Sequence, residues 1–285
     1  MPAGRQTARS AILSAITALS EAGLPSPRVD AELLVAHVLG VPRGRLVVAG
    51  PLDPARQAEL GRLVAARASR VPLQHLLGEA PFRHLTLAVG PGVFIPRPET
   101  ELLVEWGLRM VGGAPLVVDL CSGSGAIALS VAGERPSSEV YAVERAPEAL
   151  TWLRRNVAAL GPRVRVVAGD VTDATLLSTL DGQVDLVLCN PPYVPESSAV
   201  DREVAEHDPH DAVFGGPDGL ALIPAVVALA ARLLRPGGWL GVEHDVGHHL
   251  AVPHLLLKHG DFDAVEDRED LAGRPRFAIG RRLAN

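Results

Sequence analysis

The chain has 285 residues, of which 47% are hydrophobic and 21% charged, and it carries a net charge of −6. That is enough apolar material for a real core and enough length for two domains, while the acidic balance supplies no global basic field for nucleic acid. No run approaches the ~18 apolar residues of a membrane span, and Arg5 and Arg9 are followed by Glu21 rather than by an apolar stretch and a small-residue cleavage site; the expectation is a cytoplasmic protein with neither membrane association nor direct nucleic-acid binding.

In chain order, Ala8, Ile12, Ile16 and Leu19 recur at helical spacing and predict a first helix ending before Gly23 and Pro25. A second starts at Ser26-Pro27, N-cap followed by an N1 proline, carries Leu33, Leu34, Val38 and Leu39, and stops at Gly40. A third runs from Asp53-Pro54 through Leu60, Leu63 and Val64 to about Ser69. We therefore expect a small all-helical domain over residues 1–71. Within 72–95 the alternation of Leu85, Leu87 and Val89 with Thr86 and Ala88 predicts a hairpin connector, and 96–285 reads as an α/β domain. His37 and His75 stand alone and read as packing or surface residues.

In the α/β part, Leu116-Val117-Val118-Asp119-Leu120 is a short apolar strand, followed at once by Cys121-Ser122-Gly123-Ser124-Gly125 and a helical run over 126–132. Strand, glycine-rich turn and helix make a nucleotide-type cradle. Gly123 and Gly125 remove side chains where a ligand approaches the backbone, and the helix N-terminus offers N–H groups to a carboxylate. The next strand, 140–143, ends in Glu144, 19 residues beyond Gly125, the spacing at which a strand-tip carboxylate accepts hydrogen bonds from both ribose hydroxyls. A strand over 164–167 leads to Gly169-Asp170, which places a second acid, with Val171, beside an adenine edge. Lys258 is the only lysine, so no phosphate-loop lysine follows the glycines, and their spacing is shorter than the hydride-transfer fingerprint. An adenosyl cofactor with an amino-acid tail fits instead, and S-adenosylmethionine is the expectation.

The fourth strand, 184–189, closes on Asn190-Pro191-Pro192-Tyr193. An amide or amine on a planar carbon is a poor nucleophile, because its lone pair is delocalised, so it must be held. The Asn190 side-chain carbonyl and the Pro191 backbone carbonyl can each accept one hydrogen bond from a substrate –NH2, and the two prolines order these acceptors in advance. Tyr193 can cover the planar group with its ring. Every one of these elements falls at the carboxyl end of a strand, where open α/β sheets bind ligands. Cys121 and Cys189 lack metal spacing and read as reduced thiols, and His244, His248 and His249 with Glu243 and Asp245 do not make a metal set.

These residues resemble the release-factor N5-glutamine methyltransferases over nearly the whole length. The likeness runs through Asp30-Ala31-Glu32-Leu33-Leu34, Pro72-Leu73-Gln74-His75, Gly78 and Phe82, and Ile95-Pro96-Arg97-Pro98-Glu99-Thr100-Glu101; it continues in the glycine loop, the Asn190 to Tyr193 turn, Phe214-Gly215-Gly216-Pro217-Asp218-Gly219-Leu220 and Gly273-Arg274-Pro275-Arg276. The Pro-Arg-Pro-Glu-Thr-Glu segment is the most diagnostic. The resemblance implies a Rossmann-like class I methyltransferase domain, its seven-stranded sheet mostly parallel, behind a helical domain that grips a class 1 release factor. It implies methylation of the glutamine amide of a Gly-Gly-Gln tripeptide by direct displacement from S-adenosylmethionine. Asn190, Pro191 and Tyr193 would be catalytic, with Pro192 completing the substrate pocket and Phe94 reading equally as a wall of that pocket or as a core residue. Asp119, Cys121, Ser122, Gly123, Ser124, Gly125, Glu144, Asp170, Val171 and Asn190 would hold the cofactor.

Two departures stand out. The family normally has glycine at position 121; cysteine tolerates positive φ poorly, so we expect a negative φ there or a reshaped turn. After Glu243 the chain reads His244-Asp245-Val246-Gly247-His248, unlike the family, and no role is assigned to that strand end. Arg97, Glu99 and Glu101 read equally as a hinge ion-pair network. A ribosomal-protein glutamine methyltransferase shares the Asn190 turn but usually differs in the Pro-Arg-Pro-Glu segment. A DNA adenine N6 methyltransferase would use a similar turn on a flipped base but lacks support from the acidic charge. A non-catalytic adenosyl-binding module would have no need of the turn.

Overall fold

The computed structural model describes residues 6–160 and 163–284. The chain forms two compact units: the described residues up to Glu79 with Asp201–His207, and Ala80–Val200 with the residues from Asp208 onward.

The smaller unit is helical. Helix α1 (Ala8–Glu21) is capped by Thr7, whose hydroxyl accepts from Ser10 N–H at 3.2 Å. Its buried stripe is Ala8, Ala11, Ala15 and Leu19, with Ile12 and Ile16 half-buried against the core; the expected face of Ala8, Ile12, Ile16 and Leu19 is thus found, widened by Ala11 and Ala15. Helix α2 (Pro27–Leu39) starts at its N1 proline and ends on Gly40 at φ 67°, a conformation glycine adopts without a Cβ penalty. Ser26 occupies the N-cap position without making the side-chain bond. Helix α3 (Pro54–Ala68) is capped by Asp53, which accepts from Arg56 N–H at 2.9 Å, and a short α4 (Leu73–Leu77) follows. The buried Arg67 guanidinium donates to Asp30 at 2.7 Å and to the Val71 carbonyl at 3.0 Å, and pairs with Glu203 at 2.8 Å, so the returning 201–207 segment is fastened to this unit by charge.

The larger unit opens on a hairpin, β1 (Glu79–Phe82) and β2 (Leu85–Ala88). The hairpin expected within the 72–95 connector is formed by these two strands; α4 lies in the helical unit, and Phe82, Leu87 and Val89 are buried in the core of the larger one. The chain continues through α5 (Thr100–Met110), β3 (Leu116–Leu120), α6 (Ala126–Glu134), β4 (Glu139–Glu144), α7 (Pro147–Leu160), β5 (Val164–Ala168), β6 (Val184–Cys189), α8 (Arg202–His207), which belongs to the smaller unit, α9 (His210–Val213), α10 (Ile223–Leu233), β7 (Leu234–Glu243), α11 (Ala251–His259), β8 (Phe262–Glu269) and β9 (Pro275–Arg282). The seven strands β3 to β9 make one sheet in the order β5-β4-β3-β6-β7-β9-β8, parallel except for β9, which is antiparallel to both its neighbours. Apolar runs such as Val117-Val118 and Leu186-Val187-Leu188 are buried on both faces, as helix-covered parallel strands require. The strand order reverses at β3, which pairs with β4 on one side and β6 on the other, and that reversal opens the ligand crevice. No helix among the described residues is long and apolar enough to cross a membrane.

Candidate active site

Register carries the site residues to one edge of the sheet. Leu120 lies opposite Val143 and Cys189, Val143 opposite Val167, and Cys189 opposite Val242. The next residue along each strand therefore forms a row at the carboxyl edge that contains Glu144, Cys121, Asn190 and Glu243.

The cradle holds its shape through backbone bonds: Ser122 N–H donates to the Val143 carbonyl at 2.9 Å and Gly125 N–H to the Ser122 carbonyl at 2.8 Å. Nothing lies within 4 Å of where a Gly123 Cβ would stand, so the turn faces open space, whereas a Cβ on Gly125 would lie 2.6 Å from Leu153. Cys121 sits at φ 59°, so the turn keeps the left-handed conformation at that position and the expected negative φ is not found. Holding a non-glycine residue there costs about 1–2 kcal/mol. Beneath the turn Asp119 is fully buried; its Oδ2 accepts from Ala128 N–H at 3.1 Å and its Oδ1 has no partner. Burial pushes this carboxyl up to about 8. Two of the N–H groups expected to face a ligand thus face protein carboxylates, since Gly123 N–H donates to Glu144 Oε2 at 2.8 Å.

Glu144 Oε1 also accepts from Arg145 and Ala146 N–H, both at 2.8 Å. Three donors on about four lone-pair positions leave room for one more, where the sequence led us to expect two ribose hydroxyls. Asp170 is committed locally: Thr172 donates to its Oδ1 from both N–H and hydroxyl, at 2.9 and 2.7 Å, and Arg145 lies 3.3 Å from Oδ2. The bonds from Thr172 hold its carboxyl below the usual range. Val171, next to it, is buried.

At the end of β6 the Asn190-Pro191-Pro192-Tyr193 turn is anchored through its side chains. Asn190 Nδ2 donates to Thr100 Oγ1 at 3.1 Å, Thr100 Oγ1 donates to Glu243 Oε2 at 2.7 Å, and the Tyr193 hydroxyl donates to Glu243 Oε1 at 2.9 Å. Glu243 is 1% exposed and Thr100 3%. Burial raises the Glu243 carboxyl against the two hydroxyl bonds and the nearby Arg276 charge, and burial beside that carboxyl raises the Tyr193 phenol well above its ordinary value. A Cβ on Gly215 would lie 2.5 Å from the Pro192 carbonyl, and one on Gly219 would strike the Tyr193 carbonyl. These two carbonyls are thus backed by glycine main chain. His248 Nε2 donates to the Asp218 carbonyl at 2.9 Å and fastens the same segment.

Phe94 is half-buried outside the core, with the Arg97 guanidinium 4.8 Å from its ring centre; Arg97 also pairs with the buried Asp208 at 2.6 Å. Glu99 lies 3.7 Å from Arg274 and Glu101 accepts from Arg83 N–H at 2.9 Å, so Arg97, Glu99 and Glu101 have three different partners, each in the larger unit. Burial, with the Cys121 thiol beside it, raises the Cys189 thiol. His244 contacts Asp267 at 2.8 Å while His249 contacts the Val246 carbonyl at 3.2 Å, so the histidines turn to different partners, and among the described residues no group is arranged to hold a metal ion. Sequence reasoning missed Thr100, Glu243 and Asn156. Asn156, buried on α7, donates to the Ser124 carbonyl at 2.9 Å and exchanges bonds with Ala88, tying the cradle to the hairpin.

Two family models match the chain: the PrmC N-terminal domain over residues 10–78 and the methyltransferase small domain over 89–208. A release factor glutamine methyltransferase of Mycolicibacterium smegmatis is 53% identical over 97% of this chain and 98% of its own length. The chain belongs to the release factor glutamine methyltransferase family. Other members are 47% identical in Streptomyces coelicolor (95% of this chain, 96% of that one) and 39% in Deinococcus radiodurans (96% and 98%). Among solved structures, a methyltransferase from Pyrococcus furiosus covers 81% of this chain and 99% of its own at TM-score 0.53 and 18% identity. The T. thermophilus 16S rRNA N2 methyltransferase RsmC, in complex with AdoMet and guanosine, covers 72% of this chain and 49% of its own at 0.51 and 23%. At such identities these two show the methyltransferase fold of this family member and nothing of its substrate.

Proposed function

We propose that the protein methylates the side-chain amide N5 of the glutamine in the Gly-Gly-Gln tripeptide of class 1 peptide chain release factors, with S-adenosylmethionine as donor. The carrying observation is the Asn190-Pro191-Pro192-Tyr193 turn at the switch point of the sheet, in a chain similar along its length to release factor glutamine methyltransferases.

The residues fit the cofactor. The partnerless Asp119 Oδ1 is a buried acceptor under the cradle that suits a cationic amine, the space at Gly123 is open, and Glu144 has one acceptor position left. Cys121, Ser122, Gly123, Ser124 and Gly125 would shape the amino-acid end, Glu144 would meet the ribose, and Asp170 and Val171 would border the adenine. When bound, S-adenosylmethionine supplies an electrophilic methyl group on a sulfonium. The protein's part is alignment. Asn190 Oδ1 and the Pro191 carbonyl accept the two amide hydrogens and orient the nitrogen lone pair, and their partial negative charge offsets the positive charge that grows on nitrogen. Tyr193, held by its hydroxyl, and Phe94 wall the amide on its flat sides, with Pro192 keeping the turn rigid. No protein nucleophile takes part: Cys189 is fully buried with its thiol pKa raised, which holds it protonated.

A three-residue target offers too little surface for selectivity, so the helical unit grips the rest of the release factor. Such a substrate places the enzyme in the cytoplasm, in translation termination. Purified protein with labelled S-adenosylmethionine and a panel of release factor, ribosomal protein and DNA tests this: label should enter the release factor only, at the tripeptide glutamine, and label in the ribosomal protein or the DNA instead would overturn it.

A further inference from the structure

A side-chain amide can present either of its ends. If Asn190 turned by half a rotation, its Nδ2 would meet the substrate's own N–H groups, donor against donor, and the turn would repel the group it is meant to hold. The choice between the two orientations has to be made by something behind Asn190, and three distances show what lies there: Asn190 Nδ2 to Thr100 Oγ1 at 3.1 Å, Thr100 Oγ1 to Glu243 Oε2 at 2.7 Å, and Tyr193 Oη to Glu243 Oε1 at 2.9 Å. Two hydroxyl donors and the nearby Arg276 charge favour the ionised form of Glu243 against its burial; as a carboxylate it has acceptors only, and a threonine hydroxyl has one hydrogen. Thr100 gives that hydrogen to Glu243, so only its lone pairs face Asn190, and only the Nδ2 end of Asn190 satisfies them. Oδ1 is then left for the substrate. The other oxygen of the same carboxylate holds the Tyr193 hydroxyl, so one buried acid sets both the acceptor and the ring.

We propose that Thr100 and Glu243 are positioning residues for methyl transfer, a one-directional hydrogen-bond chain that keeps Asn190 Oδ1 turned toward the substrate amide. The inference rests on the reading of Asn190 as the amide acceptor. It gives a chemical task to the strand end at Glu243, and it explains why a threonine stands in the Pro-Arg-Pro-Glu-Thr-Glu segment, where valine would fill the same volume.

The test compares wild type, Thr100→Val, Thr100→Ser and Glu243→Gln for methylation of a release factor, with S-adenosylmethionine titrated calorimetrically on each to establish that the cradle is folded. Thr100→Val removes the acceptor behind Asn190 and should lower kcat at least about tenfold, the size expected for one buried hydrogen bond, with cofactor Kd and KM unchanged within about twofold. Thr100→Ser restores the hydroxyl and should recover most of the rate. Glu243→Gln can accept from only one of Thr100 and Tyr193, and should fall in kcat as well. Thr100→Val at wild-type kcat, or Thr100→Ser as slow as Thr100→Val, would overturn the chain while leaving the proposed function intact. A wild type that leaves the release factor unlabelled would refute the proposed function, and the chain with it.

Discussion

Asp119 should make the larger unit lose stability as pH rises through the neutral range. In the unfolded chain its carboxyl titrates near 3.8, and in the folded protein burial moves it to about 8. Between those values the native state binds one proton that the unfolded state does not, so this group's contribution is fully present below the lower pKa and is lost as pH rises through the upper one, at about 1.4 kcal/mol per pH unit. Between about pH 5 and pH 7 the loss amounts to about 2.7 kcal/mol. Asp119→Asn copies the neutral acid in shape, keeps an oxygen for the Ala128 N–H, and does not titrate. Urea unfolding followed by tryptophan fluorescence reports the right unit, because Trp106, Trp152 and Trp239 all lie in it. The other titrating groups contribute equally to both proteins and cancel in the difference. The stability of Asp119→Asn minus that of wild type should rise by roughly 1.4 kcal/mol per unit across this range. Parallel curves would mean that Asp119 is ionised in the fold and that burial does not raise its carboxyl as described.

Glu144→Ala removes both the proposed ribose acceptor and the carboxylate that holds Gly123 N–H; S-adenosylmethionine binding should weaken on the order of tenfold or more by calorimetry, and unchanged affinity would misplace the ribose. Asn190→Ala should lower kcat on the order of a hundredfold, as for loss of one preorganised transition-state hydrogen bond, in an assay at saturating cofactor and release factor, whereas near wild-type turnover would reduce the turn to a structural feature. Asp30→Ala removes one partner of the buried Arg67 guanidinium, at 2.7 Å, and leaves it Glu203 at 2.8 Å; it should destabilise the protein by about 1–3 kcal/mol in circular-dichroism denaturant curves.

The sheet was legible in the sequence because parallel strands covered on both faces are short apolar runs: 116–120 and 184–189 are found with the bounds expected of them, and 140–143 and 164–167 gain only a residue or two. The acids and the asparagine were legible because each follows such a run directly. What stayed hidden depends on distance along the chain. Thr100 is 90 residues from Asn190 and 143 from Glu243, and no periodicity links them. The 201–207 segment joins the helical unit through Glu203 and Arg67, which nothing local announces. In α1 the expected face is found, with Ala8 and Leu19 buried and Ile12 and Ile16 half-buried against the core, and Ala11 and Ala15 are buried beside it because close helix packing selects small residues. At Cys121 a local rule, that cysteine avoids positive φ, lost to the demand of the turn.

The distance between cradle and turn is a question of register. An in-line displacement needs its reacting atoms held near ~3–3.5 Å, while a one-residue slip of β6 on β3 would move Asn190 about 3.3 Å along the strand and reverse its side chain. Apart from Asp185 at its start, which accepts from Leu116 N–H at 2.8 Å and pairs with Arg235, β6 is apolar on both faces, so polarity along most of the strand does not forbid that slip. Packing does. A Cβ on Gly107 of α5 would lie 3.0 Å from Leu186 and 3.1 Å from Leu188, and one on Gly241 of β7 would lie 2.7 Å from both Leu103 and Trp106 of α5. Helix α5 therefore sits against β6 and β7 at a closeness that those glycines allow, with Gly107 against both leucines of β6. The first residue of the same helix is Thr100, which holds Asn190. The helix that packs against β6 thus also carries the partner of its terminal amide, so position and orientation of the Asn190 side chain are set by the same helix.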